Sequence, residues 1–445
     1  RDLLPFFSHL ELESLPTGGW GYDHFPLSAA YCRNLDHDFL GMTGKFHTTW
    51  GEFGGFKHAN ALRYECAAML AQGAKCSIGD QLHPTGQLDE STCRLIGAAY
   101  AEVEQKEPWC RRSSSSATVA VLSNHGFKKP LQTDLKSEIG VSRLLLEAHI
   151  PFDRLDDGND FSTYKVLILA DDLRPDASLQ KRLGAFLAGG GKLILSGTSI
   201  LKQDCDELAL ALPLTIEGLA CQFPNYIKAE EEFAPDGINT PFVMYRPSLN
   251  IRVQSGKSLG TIHEPYFNRD YRHFCSHQHT PNKLEDAGFN AGFLDGQILY
   301  FAHPVFILYA LYGNVILKDF ILKGIRALID DDLPLHTSMP SQGRVSLLEQ
   351  KEEKRYIAHA LYANTMLRGM QSEAFAPGLR PTAPVEVIEE LNPIHDLKFS
   401  FKLPKKIHRV TLEPQGLEIP FQGRNGQISI TLDKLLCHQM IVLHY

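Results

Sequence analysis

The chain has 445 residues, 43% of them hydrophobic and 22% charged, and a formal net charge of −8. This is ordinary globular composition, with room for several domains at ~100–200 residues each. The acidic balance argues against a nucleic-acid binder, which carries a basic face, and against a surface that docks on anionic lipid.

The sequence opens on Arg1, and residues 2–12 read as neither a signal peptide nor a transit peptide. The expectation is a chain truncated at its N-terminus. No apolar run reaches the ~18 residues that a membrane-spanning helix needs. The nine cysteines are odd in number and widely spaced, with no Cys-x-x-Cys. That pattern fits reduced thiols in a cytoplasm better than a disulfide framework.

Residues 1–112 alternate short apolar runs with helical patterns. Residues 7–15 predict a strand, followed by the turn Thr17-Gly18-Gly19, and residues 39–47 predict a second strand. Residues 59–73 predict a helix, with Leu62, Cys66, Met69 and Leu70 at helical spacing and Gly73 as its stop. Residues 75–79 predict a third strand. Asp89 caps the next helix, whose Ile96, Tyr100 and Val103 share a face. Strand, loop and helix in repetition imply a parallel sheet, closed as an α/β barrel or open as a doubly wound sheet. The four serines 113–116 read as a linker.

A second α/β pattern fills residues 117–332. Strands are expected at 118–122, 165–170, 192–196 and 297–302, helices at 139–149 and 177–187, and one or two helices over 309–329. This is the rhythm of a flavodoxin-like sheet with helices on both faces. From 334 to 445 period-two stretches take over, and Asn425-Gly426 is a hairpin signal, so a small antiparallel β-sandwich is expected.

In a barrel, chemistry collects on the loops after the strands. Here the first strand end carries Glu11 and Glu13, then Trp20, Asp23 and His24. The second carries Lys45, His47, Trp50 and Glu52, and the third carries Asp80 and His83. Aromatic faces pack on the C–H side of a sugar ring, while carboxylates and imidazoles take its hydroxyls. Glycoside hydrolysis also needs two carboxyl groups at the scissile bond. An isolated loop Glu is ordinarily solvated, Asp80 and His83 are also suited to locking loops, and Lys45 to a surface charge.

His273, His277 and His279 lie with Cys275 in one short stretch. Their spacing is not a standard structural zinc pattern, and the alternative is a polar loop. In the middle segment a class I glutaminase would place a nucleophilic Cys in a Gly-x-Cys-x-Gly turn. The matching turn here reads Leu195-Ser196-Gly197-Thr198-Ser199, and His303 is followed by Pro304-Val305 with no carboxylate. Without a thiolate that acyl chemistry has no starting point. Gly189-Gly190-Gly191 follows a helix and precedes a strand, which is the reverse of a phosphate loop.

Three stretches carry a family resemblance: Trp20-Gly21-Tyr22-Asp23-His24-Phe25-Pro26, Gly44-Lys45-Phe46-His47-Thr48-Thr49-Trp50-Gly51-Glu52-Phe53-Gly54 and Ser77-Ile78-Gly79-Asp80-Gln81-Leu82-His83-Pro84. They resemble the last strands of the hypothetical glycosyl hydrolase 6 barrel of family 151 α-L-fucosidases. The middle segment resembles the β-galactosidase trimerisation domain, an amidotransferase-like fold without its Cys, and the tail resembles the small β-domain that follows it. The resemblance implies three domains: the C-terminal part of a (β/α)8 TIM barrel over 1–112, the trimerisation-like domain over 117–332 and the β-sandwich over 334–445.

It further implies a cofactor-free retaining exo-glycosidase acting on a terminal sugar, α-L-fucose first, with the nucleophile upstream of Arg1. Glu52, and after it Glu13, are the catalytic candidates. Trp20, Asp23, His47, Trp50, Asp80 and His83 are the substrate-binding candidates. A homotrimer through 117–332 would let His277 reach a neighbour's site. The alternatives are a β-galactosidase-type enzyme and a non-catalytic oligomerisation module.

Overall fold

The computed structural model describes residues 1–127, 135–370, 384–424 and 426–445. The chain divides into two units, one of residues 1–117, 145–153 and 334–445, the other of residues 118–144 and 154–333. The fold is mixed α/β with a β-rich C-terminus.

In the first unit the N-terminal alternation gives three parallel strands. β1 (Leu10–Glu13), β2 (Phe39–Gly44) and β3 (Lys75–Gly79) lie in that order. Helix α1 (His24–Cys32) joins the first two strands, α2 (Ala59–Ala71) joins the second to the third, and α3 (Glu90–Lys106) follows. Asp89 does cap α3, accepting from the Ser91 and Thr92 amides. Helix α1 has no counterpart in the sequence reading, for a physical reason. Phe25, Pro26, Leu27, Ala29, Ala30 and Cys32 are all buried, and only the narrow His24–Ser28–Tyr31 strip stays partly open, so no strong amphipathic stripe shows. Pro26 sits in its first turn, where a missing N–H costs nothing.

Besides the antiparallel pair Thr365–Met370/Pro384–Ile388, the described C-terminal strands form two larger antiparallel sheets. One contains Leu335–Thr337, Ile394–Lys402, Gln427–Leu435 and Gln422–Arg424. The other contains Leu417–Glu418, Arg409–Glu413, Cys437–His444, Arg355–Tyr362, Arg344–Gln350 and Ser114–Ser115. Tyr356, Ala358, Ala360, Ile441 and Leu443 of the second sheet meet Phe399, Phe401, Ile430 and Leu432 of the first in one core. The opposite face carries Ile357, Met440 and Val442, which pack on Leu62, Cys66 and Leu70 of α2 and on Ala99 and Val103 of α3. Arg355–Tyr362 is therefore covered on both faces, and its near-continuous apolar run reflects that.

One expectation changes here and one meets its pairing. The serines 113–116 are not a free linker: Ser114–Ser115 is an edge strand paired with Leu348 and Glu349, and the Ser116 amide donates to Leu347 O. A short serine backbone pairs as well as any other, which composition cannot reveal. The hairpin at Asn425-Gly426 has its strands in register, Arg424 opposite Gln427, while Asn425 itself lies outside the described residues.

A buried imidazole pair stands on the helix-facing side of the doubly covered sheet. His359 Nδ1 and His438 Nε2 are 3.0 Å apart. Among the described residues, His359 Nε2 and His438 Nδ1 have no partner. Burial first, and the nearby Lys106 ammonium second, push His359 down from 6.5 to about 3. Burial, Lys106 and His359 itself hold His438 well below its ordinary value. Both rings are thus neutral in the folded chain and ionisable once it unfolds. Their contribution is complete above pH 6.5 and is lost as the pH falls toward about 3, because only the unfolded chain then gains protons. The expected slope is up to ~1.4 kcal/mol per pH unit for each ring. Denaturant midpoints at about pH 7.5 and about pH 5 measure it. His438→Leu should narrow the gap between the two midpoints, and an unchanged gap would assign the pH dependence to other groups.

In the second unit, Ile298–Phe301, Lys192–Ser196, Val166–Leu169 and Val119–Leu122 are parallel neighbours in that order. Gly292–Leu294 and Lys257–Ser258 extend the sheet beyond Ile298–Phe301 in antiparallel sense. Of the one or two helices expected over 309–329, the structure has two, Val305–Tyr312 and Val315–Ile329. The break is Gly313, left-handed at φ 56°, followed by Asn314, whose side chain caps the second helix. Between Ser196 and Gly292 the chain adds the antiparallel pair Leu214–Leu219/Leu249–Val253. It also adds a three-stranded sheet of Phe242–Met244, Asn225–Ala229 and Gly260–His263. Among the described residues no helix is long and apolar enough to cross a membrane.

Candidate active site

The parallel register decides which β1–β3 side chains share a face. Leu10 and Leu12 pack with Phe39, Phe25 and Met69 on the helix side. Alternation then sends Glu11 and Glu13 to the opposite face. Glu13 stands beside Met42, Met42 beside Ser77, and Gly44 beside Gly79. The topmost row on that face is thus two glycines. A Cβ on Gly79 would lie 1.9 Å from Trp50 Cη2, and one on Gly44 would lie 2.5 Å from Phe46 Cδ2. The glycines are what lets the two rings lie down on the sheet, where they meet edge to face at 5.4 Å. Phe46 is buried and Trp50 is exposed, giving an open aromatic surface on a fixed base.

The loops after the three strands converge around it. Lys45 N donates to Gly79 O at 3.0 Å. Lys45 Nζ stands 3.9 Å from Asp80 Oδ1. Glu52 Oε2 accepts from the Thr48 amide at 2.8 Å and stays partly exposed. His83 meets the Phe53 ring edge to face at 6.4 Å and reaches Thr85 Oγ1. Trp20 packs on His24, whose Nδ1 lies 3.2 Å from Ser14 Oγ, and burial lowers the His24 pKa. His47 is exposed at the rim. Asp23 is engaged by Arg344 Nη2 at 2.8 Å, so a strand of the C-terminal sheet holds it in place.

His277 belongs to the second unit and is exposed. Its loop is shaped by Arg269, which donates to the His277 and Gln278 carbonyls, and by Cys275, whose thiol points at the His279 carbonyl. Among the described residues no three His, Cys, Asp or Glu side chains gather as a metal site. The turn after Lys192–Ser196 keeps a left-handed Gly197, at φ 53°. Ser199 is 1% exposed and its Oγ accepts from the Ser196 amide. His303 is buried against Asn225 Oδ1, its pKa pushed down to about 3 by burial. That corner is a closed hydrogen-bonded cluster rather than an open nucleophile.

No family model matches the sequence, and no curated protein matches it. Solved structures do. Among them, α-L-fucosidase isoenzyme 2 from Paenibacillus thiaminolyticus is 44% identical with a TM-score of 0.92, and the match covers 100% of this chain and 66% of that one. The chain is thus similar, over its whole length, to an α-L-fucosidase, consistent with the glycoside hydrolase 151 resemblance of its motifs.

It spans just under two thirds of that protein's length. Two further solved structures share the fold at 14% identity. They are the β-galactosidases from Rahnella sp. R3, with a TM-score of 0.61 and 99% and 61% coverage of this chain and that, and from Bacillus circulans sp. alkalophilus, with 0.63 and 100% and 61%.

One polar group behind Trp20 and Trp50 has little signal in the sequence. Glu65 of α2 is buried and accepts from Lys57 Nζ at 2.8 Å, Thr43 Oγ1 at 2.7 Å and the Tyr22 hydroxyl at 3.2 Å. Lys57 Nζ also reaches Thr43 Oγ1 at 2.7 Å. The network ties β2, its following loop and the Trp20–His24 segment to one helix position. Its sequence signal is a carboxylate, Glu65, at helical spacing with Leu62 and Met69 on the apolar side of a helix whose other charge is Arg63.

Proposed function

We propose that this chain is part of a retaining exo-glycosidase that removes terminal α-L-fucose. The observation carrying the reading is the 44% identity over the whole chain to an α-L-fucosidase. In this reading β1–β3 are the last strands of a (β/α)8 barrel, whose remaining strands would lie against the free face that bears Glu11 and Glu13. Trp50 on Phe46 receives the apolar side of the sugar. Trp20, Asp23, His47, Asp80 and His83 line the pocket, and Glu52, with Glu13 second, supplies acid/base chemistry. The second unit is a glutaminase-like body that has lost its chemistry and assembles trimers. Its His277 loop, rich in exposed aromatic and basic side chains, closes a neighbour's pocket. A cytoplasmic location fits the nine free cysteines.

The test is hydrolysis of nitrophenyl α-L-fucoside and β-D-galactoside by the full-length protein. Turnover of the fucoside alone is expected. Turnover of the galactoside alone would replace the sugar, and turnover of neither would leave a binding or assembly role.

Gly79→Val supplies a second expectation. Valine suits a strand, so β3 persists, but its side chain occupies the space under the Trp50 indole. The ring is displaced, and KM for the fucoside should rise about tenfold, the scale of one lost aromatic contact. An unchanged KM with an unchanged melting temperature would remove Trp50 from the pocket.

A further inference from the structure

Lys45 reads in the sequence as a surface charge, and the structure buries it. Its side chain is 5% exposed. The ammonium lies over the Phe56 ring at 4.3 Å and the Phe46 ring at 5.1 Å. Its one hydrogen bond among the described residues is to Gly55 O, at 3.2 Å. An ammonium carries three donors, and a buried charge is costly unless they are used. Asp89 feels the ammonium's field, but the carboxylate within 4 Å of it is Asp80, 29% exposed, and the 3.9 Å gap between Nζ and Oδ1 is too long for a hydrogen bond.

That gap has a chemical meaning. An oxygen ~2.8 Å from each atom can sit to one side of the line that joins them. It would accept from the ammonium and donate to the carboxylate, which is what a hydroxyl does and what an ether or a carbonyl cannot do in full. We propose that Lys45 and Asp80 jointly grip one hydroxyl of the substrate sugar, making Lys45 a specificity-determining residue of this site. The proposal rests on the glycosidase reading above and adds to it a donor–acceptor pair dedicated to a single hydroxyl. Trp50, lying on Gly79 next to Asp80, places the sugar's apolar side alongside that pair.

The experiment compares the full-length wild type with Lys45→Met and Asp80→Asn on an aryl α-L-fucoside and on its monodeoxy analogues. Each substitution is expected to lower kcat/KM on the parent fucoside by ~10- to 100-fold, the scale of a hydrogen bond to a charged group. On one analogue, the same for both variants, that loss should nearly vanish, because the gripped hydroxyl is already gone. Equal losses on every analogue, or different analogues for the two variants, would overturn the proposal.

Melting temperatures accompany the kinetics. If Lys45→Met does not fold, the isosteric change at the more exposed Asp80 decides alone. If the wild type cleaves no fucoside, the substrate reading fails separately, and calorimetric titration with a panel of monosaccharides takes over. A sugar bound by the wild type and at least ~10-fold more weakly by both variants retains the grip. A sugar bound equally by all three, or no sugar bound at all, overturns it.

Discussion

Glu52→Gln in the full-length enzyme is expected to lower kcat/KM for an aryl fucoside by ~10²- to 10⁴-fold, the usual worth of a positioned acid or base. The choice of glutamine matters. Glu52 Oε2 accepts from the Thr48 amide at 2.8 Å, so part of its role is to hold its own loop. A glutamine keeps an acceptor for that amide and loses only the proton chemistry. Alanine loses both. If Glu52 is the acid/base, the two variants fall together, and the pH–rate profile of Glu52→Gln loses one limb. If Glu52 only shapes the loop, Glu52→Gln stays near wild type while Glu52→Ala falls. Glu13→Gln, run beside them, tests the carboxyl group that stands on the free sheet face. A collapse there with Glu52→Gln intact would exchange the two assignments.

What the sequence reveals of this chain follows from how each signal arises. Strands such as Lys75–Gly79 and Lys192–Ser196 match their expected bounds because short apolar runs between glycine and polar breaks are local features. Helix α1 escapes because burial of all but a narrow His24–Ser28–Tyr31 strip blurs its periodicity. The edge strand at Ser114–Ser115 escapes because its pairing is made by backbone groups and a partner more than two hundred positions away. The same division runs through the site. Trp20, Trp50, Asp80 and His83 stand out as polar or aromatic residues after predicted strands. Lys45 and Lys57 look like surface lysines, since nothing local says that one is enclosed by Phe46 and Phe56 and the other by Thr43 and Glu65. Asp23 looks like a free ligand, and its ion pair with Arg344 depends on a strand from the far end of the chain. Residue type signals chemistry, whereas the partner that spends it comes from tertiary packing.

The largest stability effect should come from that hidden pair. Lys57 and Glu65 have side chains 0% and 4% exposed, with Nζ and Oε2 2.8 Å apart. Removing the carboxylate by Glu65→Leu leaves a lysine charge buried among Thr43 and the helix, and strips the Tyr22 hydroxyl of its acceptor. The expected cost is ~3–5 kcal/mol, the range for a buried pair broken on one side. Lys57→Met should cost a comparable amount, since it strands the carboxylate. The double variant removes both charges and should recover most of the loss, because desolvation of two ions offsets much of their attraction. Denaturant unfolding of the three variants measures the cycle. Additive losses would mean that the two side chains contribute independently and that β2 and α2 are held by apolar packing alone. A strong coupling would identify the pair as the strut behind the rim. In that case the double variant should regain stability and yet bind sugar less well, since the Tyr22 hydroxyl would still lack its acceptor on α2.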